Sequence, residues 1–85
     1  MYNSLLKTFL CIADCGSFSK AAQRLFLTPT AVMKQMNLLE KHLDLPLIQR
    51  TNHGITLTEC GQSIYKDAKF MISYSDKAIE KARKI

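Results

Sequence analysis

A chain of 85 residues is one domain by natural count, and at this size the core is modest and the margin of stability thin. Apolar residues at 47% and charged residues at 22% are an ordinary globular balance, which excludes a disordered chain. Twelve Lys and Arg against seven Asp and Glu leave a net charge of +5, which points to an anionic partner, nucleic acid or a membrane surface, while no apolar run approaches the ~20 residues that span a bilayer.

The N-terminal stretch MYNSLLKTFLCIADCG lacks the basic start of a signal peptide, and Lys7 and Asp14 interrupt its apolar content. It reads as the folded first helix of a cytosolic protein. Residues 3 to 14 carry Leu5, Leu6, Phe9, Leu10, Ile12 and Ala13 at helical spacing, and Gly16 is the expected stop. Ser17 and Ser19 offer N-caps to a short second helix, SKAAQRLF, with Ala21, Ala22 and Leu25 inward. After a tight turn, Thr28 caps a third helix, with Pro29 at its first position, where a missing N–H costs nothing. Val32, Met36, Leu39 and Leu43 recur at helical steps and form one buried stripe. The opposite face carries Thr30, Met33, Lys34, Asn37 and Lys41, polar or basic apart from the methionine.

Asp44 and Pro46 break the third helix. LPLIQRT and GITLT then flank Asn52-His53-Gly54 and predict a β-hairpin. Thr58 caps a last helix, with Glu59 in its first turn suiting the helix dipole. Along it Gly61, Ile64, Ala68, Met71, Ser75, Ala78, Ala82 and Ile85 recur three and four apart, and Tyr65, Ile72 and Ile79 form an adjacent row. This stripe is wider than one small domain needs. Its N-terminal half is expected against the first helix, and a partner chain is expected beyond about Ser75.

Three cysteines, Cys11, Cys15 and Cys60, are an odd count that argues against a disulfide framework. Cys11 and Cys15 share a helical face, but with His42 and His53 they fit no common zinc pattern, so small buried thiols are expected, with no metal and no cofactor. No paired carboxylates or Ser-His-Asp set appears, and an enzyme is not expected.

Two helices joined by a short turn, the second with a polar outward face, make a helix-turn-helix, and a following hairpin makes it winged. GSFSKAAQRL, Ala31-Val32 and Gln35, LLEKHLDLPLIQRT and GITLTECG keep one order and register, and over nearly the whole chain they resemble the DNA-binding domain of LysR-type transcriptional regulators. The resemblance implies a mainly α fold: a winged helix-turn-helix of three helices and a two-stranded wing over residues 1–58, with the motif at about 18–37 and the wing at about 47–57, then a linker and dimerisation helix over 59–85. It implies the third helix in the major groove and the wing at the minor groove of an operator with dyad symmetry. The effector-binding domain that follows in this family is absent from these residues. The chain departs from the family at Met33, where a serine is usual, at Lys34, commonly an arginine, and at His53, often an arginine.

The residues expected at DNA are Ser17, Ser19 and Lys20 at the second helix, Thr28, Pro29, Thr30, Met33, Lys34, Gln35, Asn37 and Lys41 on the third, and Arg50, Thr51, Asn52 and His53 on the wing. Lys34 reaches a phosphate or a guanine edge, Met33 faces a thymine methyl, and Gln35 either bonds phosphate or ties down the neighbouring helix. Homodimerisation is expected through Ile72, Ser75, Ala78, Ile79, Ala82 and Ile85. Two other readings stay open: a stand-alone basic dimer with little sequence preference, and a protein-interaction module.

Overall fold

Three side-chain caps start three of the helices. Ser17 Oγ accepts from Lys20 N–H, Thr28 Oγ1 from Ala31 N–H and Thr58 Oγ1 from Gly61 N–H, each satisfying a donor that the helix leaves without a partner. The computed structural model describes residues 2–85, in the order α1 (Tyr2–Cys15), α2 (Phe18–Leu25), α3 (Pro29–Leu43), β1 (Ile48–Thr51), β2 (Gly54–Leu57) and α4 (Glu59–Arg83). The strands pair antiparallel, from Ile48 opposite Leu57 to Thr51 opposite Gly54.

The core gathers Leu5, Leu6, Phe9 and Ile12 of α1, Ala21 and Ala22 of α2, Val32, Met36 and Leu39 of α3, Leu47, and Ala68 and Ile72 of α4. The expected stripes of α1 and α3 therefore supply the buried residues, with Leu10, Ala13 and Leu43 half-buried at the margin. The two small alanines let α2 lie close against its neighbours. A latch joins α1 to α4: the Tyr65 hydroxyl donates to Asp14 Oδ1 at 2.5 Å, and Lys69 Nζ lies 4.7 Å from the centre of the Tyr65 ring.

The turn of the helix-turn-helix has no glycine. Phe26 takes the left-handed conformation instead, with φ 56°, while Leu27 N–H closes the end of α2 onto the Ala22 carbonyl. The Phe26 side chain is 95% exposed and contributes no burial to offset that backbone strain. Phe26→Gly should therefore raise stability by about 1 kcal/mol, net of the greater freedom glycine has when unfolded. Urea unfolding checks this, and an unchanged or lower midpoint would contradict it.

Only the first half of α4 lies on the domain. At 3.6 residues per turn, Gly61, Ile64, Tyr65, Ala68 and Ile72 form one face, and Phe70, Met71, Tyr74, Ala78 and Ala82 another, roughly 110° around the helix. The single wide stripe expected from the sequence is thus two faces. Ile72 is corrected: it is buried at 8% exposure within its own domain and is not a partner-facing residue. The second face carries Phe70, Met71 and Tyr74 in the open, with the Phe70 and Tyr74 rings stacked 6.1 Å apart.

Candidate nucleic-acid interface

Thr30, Lys34, Asn37 and Lys41, at positions i, i+4, i+7 and i+11, form the exposed polar ridge of α3, with Leu38 and His42 exposed beside it. Neither α2 nor α3 has an acidic residue in its first turn, so the positive ends of both dipoles are uncompensated, whereas α4 opens with Glu59. Thr28 and Pro29 are exposed at the start of α3. The Thr28 and Ser17 oxygens accept from their helices, which leaves each hydroxyl proton free to donate outward. An anion arriving at either helix start meets backbone N–H groups and a hydroxyl donor together.

Two α3 residues differ from a simple outward face. Met33 is half-buried, so part of its side chain lies against the domain. Gln35, the residue with two alternatives, ties α3 to α1: buried Thr8 donates its hydroxyl to Gln35 Oε1 at 2.6 Å, with the Ser4 carbonyl 3.1 Å away as a second acceptor. The amide oxygen of Gln35 is thereby engaged inside the domain. Lys41 is exposed but lies about 16 Å along the helix from Thr30, beside Asp44, Leu45 and Pro46.

The wing meets the start of α2. Ser17, Phe18, Ser19, Arg50, Thr51, Gly54 and Ile55 line a shallow depression of about 260 Å³ between them. The Arg50 guanidinium stacks over the Phe18 ring, 5.1 Å from its centre, so the aromatic face holds the cation beside the two serines. Lys20, Asn52 and His53 are exposed, the last two at the tip of the hairpin. Thr51 is corrected in part: its hydroxyl accepts from His53 N–H at 3.2 Å and donates to the Gly54 carbonyl at 3.1 Å, so it staples the turn and has no proton left for a phosphate.

Backbone contacts fix where the wing stands. Ile55 N–H donates to the Gly16 carbonyl at 2.8 Å, joining β2 to the loop between α1 and α2. Gly54, at φ 122°, must be glycine there, because a Cβ would come within 2.6 Å of that carbonyl oxygen. Glu40 Oε2 accepts from Leu47 N–H at 2.6 Å and Ile48 N–H at 3.3 Å, so one carboxylate of α3 holds the first residues of the wing. Sequence reasoning missed Glu40 and Phe18. Phe18 stands inside GSFSK beside the flagged serines, but Glu40 gave no signal, since its partners are backbone groups beyond Pro46.

The sequence matches the family model described as bacterial regulatory helix-turn-helix protein, lysR family, over residues 4–62. The HTH-type transcriptional regulator BudR of Raoultella terrigena is 35% identical over 80 residues, which cover 94% of this chain and 28% of that protein. The crystal structure of the CbnR DBD–DNA complex superposes with a TM-score of 0.92 at 30% identity, covering 98% of this chain and 95% of that one. Full-length CbnR, described as a LysR family transcriptional regulator, superposes at 0.93, with 98% of this chain matching 29% of that one. The chain thus spans little more than a quarter of the regulators BudR and CbnR. With 59 consecutive positions inside the family model and this fold, the chain belongs to the LysR family of bacterial regulatory helix-turn-helix proteins.

Proposed function

We propose that this chain is the sequence-specific, double-stranded DNA-binding portion of a bacterial transcriptional regulator, and that its role is binding and not catalysis. The observation that carries the reading is the near-complete superposition on a LysR-family domain crystallised with DNA, at a TM-score of 0.92. The exposed face Thr30, Lys34, Asn37 and Lys41, with Met33 at its edge, is the part that enters the major groove. Ser17, Ser19, Lys20, Thr28 and Arg50 bind phosphates, which position the domain without reading sequence. Asn52 and His53 sit at the minor groove, where a narrow A·T-rich stretch attracts basic side chains. Division of labour follows the chain: residues 1–58 read DNA and 59–85 pair with a second copy, although the first half of the last helix also completes the core. The setting is the cytoplasm, and the described helices include none long and apolar enough to cross a membrane.

The test is selection from random DNA with this chain, followed by binding to the recovered site over a range of salt concentrations. Specific sites should be favoured over random DNA by at least ~10³-fold. A smaller ratio would support the basic dimer with little preference. Lys34→Ala should weaken binding by about 1–3 kcal/mol and relax preference at one base position if Lys34 reads a guanine edge, or weaken all sequences alike and lower the salt slope by about 1 if it meets a phosphate. Unchanged binding would remove Lys34 from the interface.

Pairing runs through the outward face of α4. Ala78 and Ala82 are exposed and small, which allows close helix approach, and Tyr74, Lys77, Ala78 and Lys81 line an open groove of about 290 Å³. Ile79 continues the row of Ile72 beyond the domain, where it is 50% exposed; Ile85 is fully exposed, and Ser75 is half-buried. Ala78→Asp should weaken self-association about tenfold or more, because it sets a charge in a close-packed seam. Sedimentation checks this. An unaltered dimer would place the interface elsewhere.

A further inference from the structure

Cys11 and Cys15, expected as small buried thiols, are not fully buried. Both are free and half-buried, and their sulfurs stand 3.9 Å apart on successive turns of α1. Cys11 Sγ also lies 3.9 Å from the Ala21 carbonyl, so the pair sits at the junction of α1 and α2. We propose that these two sulfurs form a dithiol site for one three-coordinate, pyramidal thiophilic centre, specifically a trivalent arsenical.

Geometry selects this class. A disulfide needs Cβ atoms about 3.5–4.5 Å apart, whereas residues four apart on a helix hold them at about 5–6 Å, so closing the S–S bond requires unwinding the end of α1. A tetrahedral zinc site needs four ligands, and among the described residues no group of three His, Cys, Asp or Glu side chains gathers. A linear two-coordinate ion, with metal–sulfur bonds of about 2.3 Å, needs sulfurs about 4.6 Å apart. Bonds of that same length to sulfurs 3.9 Å apart enclose an angle of about 116°. Trivalent arsenic carries a lone pair and is pyramidal, so its S–As–S angle is smaller than this; closing the sulfurs by about 0.4 Å, which small χ1 rotations of the two cysteines supply, seats it, and that is a smaller movement than a linear ion requires.

The chemistry balances without an oxidant. With an aryl arsenoxide, two S–H bonds and the As=O bond break, two As–S bonds form, and both protons leave with the oxygen as water. Arsenic stays trivalent throughout. Burial first, then the hydrogen bond and charge of Cys15, push the Cys11 thiol up against the opposing pull of Arg24. A protonated, half-buried thiol reacts slowly with reagents that need one thiolate. A ligand that engages both sulfurs gains chelation that a monothiol reagent lacks.

The experiment is native mass spectrometry of the folded chain with equimolar phenylarsine oxide, with far-UV circular dichroism on the same samples. The expected result is one adduct per chain, formed with loss of one water, resistant to excess mercaptoethanol and removed by dimercaptopropanol. Cys11→Ser and Cys15→Ser should each weaken the adduct at least a hundredfold, and Cys60→Ser should leave it unchanged. If a serine variant loses helicity, the corresponding alanine variant replaces it, since alanine favours the helix. An adduct that survives loss of either Cys11 or Cys15, one that is lost with Cys60, or no adduct on the folded chain overturns the proposal.

Discussion

Glu40→Ala should lower stability by about 2–3 kcal/mol and weaken DNA binding by more than the stability loss alone explains. In the intact domain one carboxylate oxygen accepts from two successive backbone N–H groups, Leu47 at 2.6 Å and Ile48 at 3.3 Å. Leu47 is fully buried, so its N–H has no water to turn to once the carboxylate is gone. A buried donor left without an acceptor costs about 1–3 kcal/mol, and the longer bond at half-buried Ile48 adds a smaller share. The same carboxylate joins the helix proposed for the major groove to the first strand of the wing. Its loss frees the wing to move relative to α3, which loosens any arrangement in which both touch DNA at once. Glu40→Gln keeps an oxygen acceptor without the charge and should recover more than half of both losses. Thermal unfolding and DNA titration on the three proteins provide the check. If the alanine protein melts within about 2 °C of the wild type, the bracket contributes nothing, since 1 kcal/mol in a domain this size moves the midpoint by about 4–8 °C.

How legible these features were depends on whether the controlling interaction was local. The third helix was readable in full, because Thr28, Pro29 and the Val32–Met36–Leu39 spacing are signals within one short stretch. The hairpin was readable from Gly54 and its flanking β-branched residues, and the start of α4 from Thr58. Ile72 was misassigned because a heptad-like row along one helix does not reveal where the globular domain ends. Phe70 and Tyr74 were overlooked because aromatic residues among Lys69, Ser73 and Asp76 break the apolar pattern, although both rings stand in the open. Thr51 carries a hydroxyl that suits phosphate, and only the fold shows that it is spent on its own turn. The exposed face of α3 is the one part of the candidate interface written in periodicity alone. The depression between Arg50 and the serines of α2 joins residues more than thirty positions apart, and no local pattern predicts it.

Gly61→Ala is the second change expected to act strongly, and helix propensity points the wrong way. Alanine in place of glycine inside a helix ordinarily stabilises by about 1 kcal/mol. Here the added Cβ would stand 2.0 Å from the Leu47 carbonyl oxygen, 3.0 Å from its carbon and 3.3 Å from Leu47 Cα. The obstacle is backbone, so no rotamer change relieves it. Overpacking of this kind costs about 1–3 kcal/mol or more, and an overlap this deep belongs at the upper end. Nor is the Leu47 carbonyl free to retreat. It accepts from Thr58 N–H at 3.1 Å, while the Thr58 hydroxyl donates to the Pro46 carbonyl at 2.6 Å and accepts from Gly61 N–H at 2.9 Å. Displacing Leu47 therefore pulls at the cap of α4, at the Glu40 bracket and at a fully buried leucine together. The clash outweighs the propensity gain, and a net loss of about 2–3 kcal/mol is expected, near 10–20 °C in the unfolding midpoint. Gln62→Ala, on the exposed neighbour, serves as the control and should change stability by no more than about 0.5 kcal/mol. A Gly61→Ala protein as stable as the wild type, or more so, would mean that α4 and the Leu47 backbone are not held in the contact described, and the wing would then rest on Gly16 and Glu40 alone.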